Sequence, residues 1–136
     1  MIEVVLSNTS KTPIYQQLFE QISAQIIRGD LKKDQGLPPI RTVARELRVS
    51  IITIKKAWEM LEKEKLIYSV VGRGCFVEDL SKADLQSKRN DKLMQKLSID
   101  IAYYKDMGLS LSDIQAAVEK VYMDIRGRKE SRTNVR

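Results

Sequence analysis

The chain has 136 residues, with 24 Lys or Arg against 18 Asp or Glu, a formal net charge of +6 and no histidine. The missing histidine removes the commonest general base and metal ligand, and the single cysteine, Cys75, excludes an internal disulfide and a multi-thiolate zinc site; no cofactor or metal is expected, and no enzyme. Hydrophobic residues at 43% suffice for a core, the basic balance suits an anionic partner, and no apolar run nears the ~20 residues that cross a bilayer.

The opening MIEVVLSNTSKTP lacks a basic segment followed by a long apolar core. With the lone thiol, this reads as a cytoplasmic protein with no membrane partner. Residues 2–6 could be a short extended segment. Thr12 and Pro13 then mark a helix start, Thr as N-cap and Pro at the first helical position. Ile14, Leu18, Ile22 and Ile26 follow at helical spacing, and Gly29 is a C-terminal stop, so the first helix covers about residues 13–28. Two prolines in LPPI open a short helix over residues 40–47, with Val43, Ala44 and Leu47 on one face. Ser50 is an N-cap for a third helix, whose apolar stripe is Ile54, Ala57, Trp58 and Leu61.

Residues 66–71 and 75–77 are rich in β-branched and aromatic types and flank Gly72-Arg73-Gly74. Glycines tolerate the positive φ of tight turns, so the segment reads as a β-hairpin with Arg73 at its tip. Residues 79–90 are polar and read as a linker or an exposed helix start. Leu93, Leu97, Ile101 and Tyr104 mark a fourth helix that Gly108 ends. Ser110 and Asp113 have the spacing of a capping box. Leu111, Ile114, Val118, Val121 and Ile125 then form a seam at alternating steps of three and four, closed by Gly127. The basic tail, residues 128–136, is expected to be disordered.

The resulting fold class is mainly α with a small β-hairpin. Residues 1–78 form a winged helix-turn-helix, and residues 79–127 form a two-helix dimerisation element. In such a unit the helix after the turn enters the major groove with its N-terminal residues at base edges. With the apolar stripe turned to the core, the other face carries Thr53, Lys55 and Lys56, led by Ser50. Arg41, Arg45 and Arg48 lie on and just after the second helix. Residues 41–56 hold these five cations and one acid, Glu46, while Glu59, Glu62 and Glu64 come later. A helix dipole alone favours the reverse arrangement, so an external polyanion near the helix start is implied. Arg73 on the wing suits a phosphate or a narrow minor groove.

The run LPPIRTVARELRVSIITIKKAWEMLEKEKLIYSVVGRGCFV, with TPIYQQLFEQISAQIIRGDLK before it, resembles the N-terminal domain of GntR-type bacterial transcription regulators. Their pattern is Leu-Pro-Ser-x-Arg, Leu-Ala-x-x-Leu-x-Val-Ser, x-x-Thr-Val-x-x-Ala, Leu-x-x-x-Gly-hydrophobic and Gly-x-Gly-Thr-Phe-Val. The resemblance covers about residues 10–78. The short remainder, with MGLSLSDI, is similar to the YtrA-type subfamily. That resemblance implies a homodimer joined through the C-terminal helices and often control of an operon encoding an ABC transporter. A twofold dimer calls for pseudo-palindromic double-stranded operator DNA, and repression of its own operon is the expected mechanism. It places DNA contacts on Arg41, Ser50, Thr53, Lys55 and Gly74. Ile51 stands where the family often has a base-reading Arg, so an apolar contact with a thymine methyl is an alternative there. Arg48 and Lys65 replace glycines, and Lys55 replaces an Arg.

The dimer seam is assigned to Leu97, Ile101, Tyr104, Leu111, Ile114, Val118, Val121 and Ile125. Tyr103, Tyr104 and Tyr122 leave room for an unidentified small-molecule effector, against the favoured reading that they fill the helix-pair and dimer interface. Cys75 reads as a small strand residue in preference to a redox thiol. An architectural, largely non-specific DNA binder is the alternative function.

Overall fold

The computed structural model describes residues 2–134, with side chains through Ile125. Contacts divide the chain into a first compact unit through Arg89 and a second from Asn90. The elements are α1 (Ile14–Arg28), α2 (Ile40–Leu47), α3 (Ile51–Lys63), β1 (Ile67–Val70), β2 (Gly74–Val77), α4 (Lys82–Asp106) and α5 (Leu111–Asn134).

The core of the first unit is built by the expected stripes. Leu18, Phe19, Ile22 and Ile26 of α1 meet Val43 and Ala44 of α2 and Ile54, Ala57, Trp58 and Leu61 of α3, with Leu66, Ile67 and Val77 closing the side nearest the hairpin. The hydroxyl of buried Ser23 donates to the Phe19 carbonyl at 2.6 Å, which satisfies the only polar side chain buried there among the described residues. The α1 N-cap is Pro13, not Thr12. Proline has no N–H to leave unsatisfied at a helix start, and the Thr12 carbonyl instead accepts from Gln17 Nε2 at 2.7 Å.

Residues 2–7 run extended beside α1 and are held by side chains rather than by a strand. Gln17, Gln21 and Gln25 recur every four residues on one face of α1. Gln21 exchanges two hydrogen bonds with the backbone of Val5, at 2.9 and 2.7 Å. Gln17 does the same with Ser7, at 2.8 and 2.9 Å, and Gln25 Nε2 donates to the Glu3 carbonyl at 2.8 Å. Three amides thus stand in for a neighbouring strand, and Ile2, Val4 and Leu6 turn inward onto the core.

The hairpin pairs Ile67 with Val77, Tyr68 with Phe76, Ser69 with Cys75 and Val70 with Gly74. Its outer edge is covered by residues 34–37: Asp34 N donates to the Val77 carbonyl, Val77 N to Gln35, and Leu37 N to Cys75, at 2.7 to 2.9 Å. The wing is therefore bonded along both edges of β2 and has a fixed base. The stacked Tyr68 and Phe76 rings, 5.6 Å apart, stiffen it further. Tyr68 donates its hydroxyl to Asp34 at 2.8 Å, and that bond, with desolvation second, raises the phenol above its usual range.

Two left-handed residues sit where glycine would be free of strain. Arg48 ends α2 at φ 58 and ψ 44, and Lys65 follows α3 at φ 58. A side chain in this region costs about 1 kcal/mol. Lys65→Gly is expected to stabilise the first unit by up to about 1 kcal/mol, partly offset by the greater unfolded freedom of glycine. Chemical denaturation measures it, and a loss of stability would show that Lys65 makes compensating contacts.

Beyond the hairpin, the polar stretch takes the second of its two expected readings, a helix start, and α5 runs longer than expected. The polar stretch 82–90 is helical, because Ser81 and Asp84 form a reciprocal capping box at 3.1 and 3.3 Å. Lys88 Nζ donates to the Glu64 carbonyl at the end of α3, 2.8 Å away. At the far end α5 continues past Gly127 to Asn134. One interior glycine costs a helix only about 1 kcal/mol and does not have to stop it. The backbone of residues 127–134 is accordingly helical, where a helix end and a disordered tail were expected; residues 135–136 lie outside the described residues.

Candidate nucleic-acid interface

The α2–α3 turn contains three residues, Arg48, Val49 and Ser50. The left-handed Arg48 reverses the chain, and Val49 N donates to the Ala44 carbonyl at 3.0 Å. Ser50 caps α3 as expected: Thr53 N donates to Ser50 Oγ at 3.1 Å, and the two hydroxyls lie 2.7 Å apart. One hydroxyl proton serves that pair and the other stays available to an outside acceptor.

With Ile54, Ala57, Trp58 and Leu61 buried, the outward face of α3 is Ile52, Lys55, Lys56 and Glu59, and Thr53 is half-buried. Arg41 and Arg45 stand one turn apart on the exposed face of α2. Arg41, Arg45, Arg48, Lys55 and Arg73 are exposed and make no ion pair with any described residue. Lys56 differs. Its Nζ sits 3.9 Å over the Tyr15 ring and ties α3 to α1, an ordering role that its spacing on α3 did not reveal.

At the wing tip Gly72 and Gly74 have φ 78 and 111, and Arg73 N donates to the Val70 carbonyl at 3.0 Å. Both angles favour glycine beside Arg73, and the one at Gly74 lies well beyond the left-handed helical region that Arg48 and Lys65 occupy. Val71 beside it is fully exposed. Cys75 is half-buried on the core, with Sγ 3.5 Å from Ser69 Oγ.

In the second unit, Leu97, Tyr104, Leu111, Val118, Val121 and Ile125 are exposed, Ile101 is half-buried, and Ile114 is buried by the chain itself. Ile114 is therefore already spent on packing within one chain. The Tyr103 and Tyr104 rings meet edge to face at 5.8 Å. Ser110 and Asp113 make the expected box, at 3.0 and 3.1 Å. Hydrogen bonds from Ser110, its backbone N–H first, hold the Asp113 carboxyl below the usual aspartate range. Among the described residues no cluster of acidic or cysteine side chains could hold a metal, and no helix is long and apolar enough to cross a membrane.

Two helices at a tight turn, a third helix packed behind them and a two-stranded wing define a winged helix-turn-helix DNA-binding protein. The family model "Bacterial regulatory proteins, gntR family" matches residues 14–77. YtrA from Sulfolobus acidocaldarius, a GntR-family transcription factor, is 32% identical with a TM-score of 0.55, over 70% of this chain and 97% of that one. The chain belongs to the GntR family of DNA-binding transcription regulators, which are not enzymes. Over most of its length it is also similar to the HTH-type transcriptional repressor YtrA of Bacillus subtilis (strain 168), 26% identical over 122 residues, 90% of this chain and 94% of that one. A GntR family transcriptional regulator from Listeria monocytogenes has a TM-score of 0.72 at 28% identity, over 85% of this chain and 98% of that one.

Proposed function

We propose that the chain is a dimeric repressor of its own operon in the cytoplasm, held on the nucleoid by a pseudo-palindromic operator. The observation that carries this reading is the set of exposed cations, with no ion pair to any described residue, on α2, the α2–α3 turn, the start of α3 and the wing tip. Unneutralised arginines near one another repel, and a phosphate backbone relieves that repulsion with release of counterions. Arg41, Arg45, Lys55 and Arg73 meet DNA directly, Ser50 and Thr53 lend a hydroxyl, and Gly74 lets the wing backbone approach. Lys56 acts through Tyr15.

The winged unit reads DNA, and the helical element pairs two chains. Support for pairing comes from the exposed apolar side chains of α4 and α5, which a twofold mate would cover. The likeness to the HTH-type transcriptional repressor YtrA supports repression. An unidentified signal shifts the angle between the two winged units and releases the operator. Selection from a random duplex pool, with salt raised in steps, tests this. An inverted repeat with half-sites about 34 Å apart, or a multiple, is expected. Binding lost with salt and no emerging motif would replace the reading with an architectural DNA binder.

A further inference from the structure

The first turn of α3 opens with two isoleucines that the fold does not need there. Ile51 is 43% exposed and Ile52 is 78% exposed. The staple positions flanking this helix start are filled by Val49 and Ile54, both packed on the core. Ile51 and Ile52 follow the Ser50 cap directly, and Lys55 lies one turn further on the same exposed side. They are thus an aliphatic pair set inside a basic surface, at the end of the helix that meets base edges. The face Ile52 occupies becomes plain only when the buried stripe is placed.

Isoleucine can neither donate nor accept a hydrogen bond, so it cannot read the polar edges of guanine, cytosine or adenine. The major groove offers one apolar group, the 5-methyl of thymine. A β-branched side chain in a helix is nearly fixed at χ1 and loses little freedom on contact. Resting on the reading that α3 enters the major groove, we infer that Ile51 and Ile52 are specificity-determining residues that select thymine by its 5-methyl group. The flanking cations hold the helix on the backbone, and the two isoleucines set which base pairs lie beneath its first turn.

Uracil in place of thymine keeps base pairing and removes only the methyl. The probes are the duplex recovered by selection and the same duplex made with deoxyuridine at each thymidine in turn. Affinity is expected to fall about fourfold for each methyl lost under the helix start, at one or two positions per half-site. In the Ile51→Ala/Ile52→Ala chain, whose changes lie on the surface, that penalty should vanish. Full affinity for every uracil duplex, with discrimination against random DNA retained, overturns the inference and leaves operator binding intact. An equal uracil penalty in the alanine chain also overturns it, because the methyl would then act through another residue or through DNA shape. Failure to recover any preferred duplex overturns the groove reading and this inference together.

Discussion

Replacing Leu111 and Val118 together with aspartate is expected to yield a monomer that binds its operator about 10²- to 10⁴-fold more weakly. The two side chains are 70% and 55% exposed in the single chain and lie two turns apart on α5. If a partner chain covers this leucine and valine, unpaired carboxylates buried in their place would cost far more than the lost apolar contact. Pairing makes the second half-site an intramolecular event, so its loss removes the gain in effective concentration. Because neither residue contributes to the winged core, circular dichroism should hardly change. Sedimentation should give twice the 15.6 kDa chain mass for the natural protein and that mass for the variant. A persistent dimer would sink the assignment of this face.

Arg41→Ala is expected to weaken operator binding about 10- to 100-fold without changing thermal stability. Arg41 is exposed on the first turn of α2 and has no ion pair with a described residue, so its removal leaves nothing orphaned in the free protein. Lysine should restore only part of the loss, since it keeps the charge but not the planar fork that grips phosphate or guanine at two points. Operator affinity that does not change on titration would take Arg41 off the contact surface.

The parts of this fold written in local pattern were legible in the sequence. The stripes of α1, α2 and α3, the Ser50 cap and the glycines around Arg73 each follow from a spacing of a few residues. Long-range pairings were not. Residues 34–37 covering β2, the three glutamines clamping residues 3–7, and Lys56 docking on Tyr15 join segments that no window holds together. The start of α4 was left open between a linker and an exposed helix start, for another reason. Its first turns are polar, so periodicity is silent, although Ser81 and Asp84 repeat the Ser110 and Asp113 spacing that was recognised further on. Gly127 misled in the opposite sense, because a glycine weakens a helix without ending it unless the backbone turns left-handed there. The candidate DNA face was legible as a charge pattern, while Ile52 was not, since burial and not spacing decides which apolar residue faces outward.

The central claim is that this basic face reads sequence. It is tested most directly by the affinity of the natural chain for its selected duplex against the same duplex with scrambled half-sites, both near physiological salt. A ratio of about 10³ or more is expected. Equal affinities that fall together as salt rises would contradict it, leaving a protein that grips the DNA backbone without distinguishing its bases.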